Sequence, residues 1–272
     1  MNIARLRARS SLVATVLLLL LSSMNIRAQE ANSFLSQLHT FRVSNYVALD
    51  AYYRFIGEGS TDTLNEIVAG INSANDSMNL LATTTSGVLS KEQLEELNSE
   101  FDKFKGLMRN NINDVRNTGY PDLRLVSDMA NQALVMNDMA TELYQIAQEK
   151  SQAETSTRVE AARMGAVKIA QMMAKYSVRT NSSVAQIFQG TATEVSLDEQ
   201  AKEFDQLLAA MGSNQDKGEL KTVLDDASAK WQFIRGSYIN YNENNVGFVI
   251  DRYSKRILES LTAAISLLQQ GA

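Results

Sequence analysis

From Leu94 to Val115 the chain repeats apolar positions at three- and four-residue steps: Leu94, Leu97, Phe101, Phe104, Leu107, Met108, Ile112 and Val115. These fall on one face of a helix, and the charged and amide residues between them fall on the other. Ser90 and Gln93 have the spacing of a capping box, Gly119 follows the last apolar position, and Pro121 suits the first turn of the next helix. A second series, Leu125, Met129, Ala133, Met136, Met139 or Ala140, Leu143 and Ile146, keeps the same period up to Lys150. Beyond it the polar stretch 151–157 holds neither glycine nor proline. The pattern therefore fits either one helix running to about Phe188 or a restart at Thr157, where Thr157 and Glu160 again have capping-box spacing. Ser196 and Glu199 then open a face made of Ala201, Phe204, Leu207, Leu208 and Met211. The last series, Ile250, Tyr253, Ile257, Leu261, Ile265 and Leu268, steps at near-heptad intervals, a seam suited to a bundle.

A single proline in 272 residues lets helices run long, so the expected class is all-α, in elongated antiparallel bundles. The two halves repeat weakly. A helix with Tyr46, Tyr52 and Tyr53 leads through Gly57-Glu58-Gly59 into further helices, and a helix with Gln171, Lys175 and Tyr176 leads through Gly190 into its own set. This predicts two stacked four-helix modules, residues 29–151 and 152–272. A single elongated bundle is the competing architecture.

The first 28 residues break the amphipathic pattern. Arg5, Arg7 and Arg9 precede the apolar run Leu12 to Leu21, and Ile26-Arg27-Ala28 closes the segment. A basic start, a short apolar middle and a small-residue close make a secretory leader, and the run is shorter than the about 20 residues a membrane helix needs. Cleavage near Ala28 is expected, giving a periplasmic or secreted protein with no transmembrane span after removal. The whole chain carries a net charge of −5, and losing four leader arginines makes the remainder more acidic. Nucleic acid is therefore excluded as a first partner class. With no cysteine, disulfides and thiolate chemistry are excluded. His39 is the one histidine, so histidine-pair metal sites are excluded too, and methionines such as Met129, Met136 and Met172 read as core rather than ligands. No metal, no cofactor and no enzymatic activity are expected.

Two groups of residues are candidates for binding. Lys168, Lys175 and Arg179 fall on one helical stripe, with Arg163 off its edge, and could hold a small anion by charge-assisted hydrogen bonds. The alternative is that the stripe faces water or the acidic run Glu92, Glu95, Glu96 and Glu100. Arg42, with Tyr46 and Tyr53 on the same helix, forms the second candidate, with core packing of the tyrosines as its alternative.

The segment from Arg163 to Tyr176 resembles the signature helix of the PilJ-type domain, the periplasmic sensor domain of type IV pilus chemotaxis transducers. Gln171, Met173, Ala174 and Lys175 match that signature, with Arg163-Met164 displaced upstream, and Phe248 to Ile257 is similar to the family's terminal helix. The resemblance covers mainly the second half and implies a sensor module of antiparallel helices that takes a small ligand. Val167, Lys168 and Ala170 depart from the family pattern. The expectation is an exported, sensor-like binding protein without an output domain of its own, recognising a small ligand or a membrane receptor. An envelope structural or assembly protein acting through helix–helix contacts is the alternative.

Overall fold

The computed structural model describes residues 3–83, 87–151, 155–181, 195–243 and 245–271, and their side chains except those of 3–30 and 151. Eight helices follow one another: α1 (Ile3–Glu58), α2 (Thr61–Thr83), α3 (Lys91–Thr118), α4 (Leu123–Ser151), α5 (Thr157–Asn181), α6 (Leu197–Met211), α7 (Gly218–Ile239) and α8 (Gly247–Gln269). No strand occurs among the described residues, and the fold is all-α. The expected leader over 1–28 lies outside the described side chains, and the stretch from 182 to Phe188 lies outside the described residues. Among the described residues no helix is long and apolar enough to cross a membrane.

Local chemistry sets the helix ends. Gln93 N donates to Ser90 Oγ at 3.3 Å and Ser90 N donates to Gln93 Oε1 at 2.9 Å, the reciprocal capping box. Gly119 ends α3 with φ 80°, where a side chain would be strained. Three signals work differently from their expected form. Pro121 lies ahead of α4 rather than in its first turn, because Asp122 Oδ1 caps the helix by accepting from Arg124 N at 2.8 Å and Leu125 N at 3.2 Å. The chain does restart at Thr157, but the cap is Ser156, whose Oγ accepts from Val159 N at 3.2 Å. Ser196 precedes α6 without a side-chain cap bond, and its hydroxyl donates to Asp198 at 2.6 Å.

Helix directions follow from the cross-links. Arg163 reaches Ser36 and Ser177 reaches Asp50, each pair 127 residues apart, so α1 and α5 run parallel in fixed register. Phe41 meets Phe101 and Tyr52 meets Asn111, which sets α3 parallel to α1. α2 returns antiparallel to α1, through Ser44–Ser73 at one level and Arg54–Glu66 at another. Gly70 permits that approach: a Cβ there would lie 2.9 Å from Ala48 Cβ and 3.0 Å from Ala48 N.

The apolar faces collect into two cores. Phe34, Leu38, Phe41, Phe101, Phe104 and Met136 belong to the core of α1–α4. Ile169, Met172, Phe204, Trp231, Ile257 and Leu261 belong to that of α5–α8. Helix α5 serves both. Ala170, Ala174 and Val178 face the first core, while Ala166, Ile169, Met172 and Tyr176 face the second. Its small residues let α1 pack along it, so the two four-helix groups meet along α1 and α5.

Candidate functional site

The α1–α5 seam carries buried polar groups that helix packing does not require. Asn32, Ser36, His39, Arg42 and Asn45 recur along α1 at three- and four-residue steps, and of these Ser36 meets Arg163 of α5 and Arg42 meets Tyr144 of α4. Arg163, only 1% exposed, donates from Nη1 to the Tyr144 hydroxyl at 2.9 Å and to Glu160 Oε1 at 3.0 Å, and from Nη2 to Ser36 Oγ at 2.9 Å. The Tyr144 hydroxyl in turn donates to Glu160 Oε2 at 2.7 Å. Burial raises the Tyr144 phenol above its ordinary range, which keeps it a donor.

Arg42, 7% exposed, lies with its guanidinium carbon 5.1 Å from the centre of the Tyr144 ring. No carboxylate among the described residues forms an ion pair with it. Burial pulls its guanidinium down from its ordinary value, opposed by Tyr144, Tyr46 and Glu160. His39 sits between the two arginines in charge: burial, then Arg163, then Arg42 push its imidazole down to about 3, so it is neutral at physiological pH. Arg42 Nε, Arg163 Nε, His39 Nδ1 and both polar atoms of the Asn45 amide have no hydrogen-bond partner among the described residues. Buried polar groups are nearly always paired, so several orphans on one seam need a cause.

A second polar node lies further along the same two helices. Asp50, fully buried, accepts from Arg54 Nε at 3.2 Å and from Ser177 Oγ at 2.6 Å. Arg54 also pairs with Glu66 of α2 and, at 3.1 Å, with Asp251 of α8. Lys255 closes the ring at 2.8 Å from Glu66 and 2.9 Å from Asp251. Burial raises the Asp50 carboxyl above its ordinary range against the pull of Arg54. Burial pulls Arg54 down, but Asp50, Asp251 and Glu66 together more than reverse it. This node, three carboxylates against two cations, ties α1 and α2 to α5 and α8. Among the described residues no group of three His, Asp or Glu side chains is placed to hold a metal.

The sequence candidates separate into two places. Arg42 and Arg163 come together around Tyr144, and Tyr46 is close enough to influence Arg42. The stripe on α5 faces the other way, toward α6 and the α7–α8 turn. Lys168 pairs with Glu203 at 2.6 Å, Lys175 Nζ donates to Val195 O at 3.1 Å, and Arg179 donates to Tyr241 O while stacking 4.5 Å from that ring. Gln171 is half-buried on the same helix. The acidic run makes local pairs instead, Glu95 with Lys91 and Glu100 with Lys103.

A groove of about 590 Å3 opens between α6 and α7 over Trp231. Its charges are internally matched: Asp205 accepts from Trp231 Nε1 at 2.7 Å and from Arg235 Nη2 at 2.7 Å, and Asp216 takes Arg158 Nη2 on both oxygens at 2.8 and 2.6 Å. His39, Asn45 and Asp50 were not singled out by sequence. The available signal was a polar residue at a position where the apolar face of α1 should have continued. No family model, curated protein or solved structure matches this chain.

Proposed function

We propose that the chain is an exported, sensor-like binding protein that recognises a small ligand along the seam between its two helical groups. The observation that carries this reading is the set of orphaned polar atoms around Arg42 and Arg163. Burying such groups without partners costs on the order of 1–3 kcal/mol each, a cost that a bound ligand repays. The resemblance to PilJ-type sensor domains supports the same class, and the leader-like residues 1–28 support export.

A thermal-shift screen of the purified protein against inorganic anions, dicarboxylates and amino acids tests it. A ligand at a hundredfold its Kd adds about 2.7 kcal/mol, which raises the Tm of a chain this size by roughly 5–10 °C. If no small molecule shifts the Tm, the reading fails.

A second reading, docking on a membrane receptor or another envelope protein, draws on a different observation. At the end where α3 turns into α4 and α8 begins, Tyr120 is 78% exposed and Phe248 77% exposed. A stable partner recovered from envelope extracts, lost with Tyr120→Ser and Phe248→Ser, favours it over the small-ligand reading.

A further inference from the structure

We propose a second binding site, in the groove between α2 and α3, for the acyl chain of one free fatty acid of medium length, with Arg109 at its carboxylate. The site is separate from the α1–α5 seam and does not rest on the function proposed above.

The groove begins with a glycine. Gly70 lets α2 lie tight against α1, since a Cβ there would sit 2.9 Å from Ala48 Cβ. Held in this way, α2 touches α3 only sparsely, and a groove of about 270 Å3 stays open between the two helices. Ile67 and Met108, both buried, form its floor, and the half-buried Ile71 and Ile112 form its walls. Val68 stands on its edge 50% exposed, an aliphatic side chain that the bundle itself does not cover. Toward Phe101 the groove is bounded by Lys105, whose Nζ donates to Asn75 Oδ1 at 3.4 Å across the two helices.

Dimensions select the occupant. The α3 side of the groove runs from Lys105 to Asn113, a little over two turns or about 12 Å. A helix with its side chains is about 10–12 Å across, so even two turns of one would overfill this space. One unbranched acyl chain fits it, and the paired chains of a membrane phospholipid do not. The aliphatic lining offers such a chain no polar partner, and binding gains from each methylene taken out of water.

Charge selects the head group. Both ionisable side chains that line the groove are cations, Lys105 and Arg109. Lys105 is engaged, 2.8 Å from Asp102 and 4.5 Å from the centre of the Phe101 ring. Arg109 is exposed and forms no ion pair among the described residues. A carboxylate on the chain therefore meets a guanidinium fork at the rim with hydrocarbon below it, whereas an alkylammonium meets like charge.

The experiment is titration calorimetry of the full chain with sodium hexanoate, octanoate and decanoate below their micelle concentrations. Acetate serves as the head group alone, octanol as the uncharged chain and octyltrimethylammonium as the cationic one. One acid binds per chain, its affinity rises about fourfold with each added methylene, and octanoate binds more tightly than octanol or the ammonium. Val68→Asp, at an exposed position, weakens decanoate roughly tenfold by setting a carboxylate beside the chain. Arg109→Gln weakens octanoate about threefold and leaves octanol unchanged, as loss of an exposed ion pair predicts, and it carries the test if Val68→Asp does not fold. Affinity that does not grow with chain length overturns the proposal, as does binding of many acids per chain or decanoate binding unaltered by Val68→Asp. Octanol held as tightly as octanoate, or weakened equally by Arg109→Gln, overturns the assignment of the carboxylate to Arg109. Sedimentation with phosphatidylglycerol–phosphatidylethanolamine vesicles, with no binding of the free acids, overturns the proposal in favour of a membrane surface.

Discussion

At the scale of single residues, His39 makes the chain acid-sensitive in a calculable way. Its folded pKa, about 3, lies below the ordinary 6.5. Above pH 6.5 the imidazole is neutral in both states and costs nothing. Between pH 6.5 and about 3 the unfolded chain takes a proton that the folded chain refuses, so stability falls as the pH drops, by about 1.4 kcal/mol per unit. Urea denaturation of His39→Gln at pH 7 and pH 5 isolates this term. The unmodified chain is expected to lose about 2 kcal/mol more than the variant over that interval. Sequence offered little of this. A lone histidine has no local signature of burial, and its low pKa comes first from that burial, then from Arg163 on another helix and Arg42 on its own. Arg163 itself could be picked out as a cation near a helical stripe. That it turns away from Lys168 and toward Tyr144 depends on which side of α5 meets α1.

At the scale of helices, what sequence could give was what a single helix decides. The Ser90–Gln93 box and the Gly119 stop involve residues within one turn of each other, and they form as their spacing implies. Ser196 has the same local form, yet its hydroxyl donates to Asp198 and accepts from no backbone N–H of α6. The partners of Lys168, Lys175 and Arg179 come from α6 and from the chain beside it, and no spacing within α5 encodes them. Close packing of helices is equally invisible in one of them. Gly70 lies in an amphipathic helix where alanine has the higher propensity, and only the backbone of Ala48 explains it. Gly70→Ala is expected to destabilise the chain by about 1–3 kcal/mol, overriding a propensity gain of about 1 kcal/mol. Gly106 is the control: a Cβ there meets nothing within 4 Å, so Gly106→Ala should stabilise by about 0.5–1 kcal/mol. Thermal denaturation of the two variants side by side checks the opposite signs.

At the scale of the whole molecule, the two cores meet along a seam that is part alanine packing and part charge. The Asp50 node is its most buried ionic element, and Arg54 holds three carboxylates from three helices. Removing it with Arg54→Met strands Asp50 in the interior, at a cost of about 3–5 kcal/mol. Both far-UV circular dichroism and the fluorescence of Trp231, which lies in the core of α5–α8, should report that loss in urea titrations. Coincident midpoints for the two signals in the unmodified chain would show the groups melting as one unit. The all-α class follows from composition and periodicity, because both are properties summed over many residues. The meeting of the groups along α1 and α5 rests on a register between residues 127 apart, which no local pattern records.

That register also sets a clock. Arg163 and Arg42 sit where α1, α4 and α5 close over them, and α5 is walled by a core on each side. On the binding function proposed above, exchange of a ligand at these groups waits on local opening of the seam, so its arrival and its departure are both paced by that opening and not by diffusion alone.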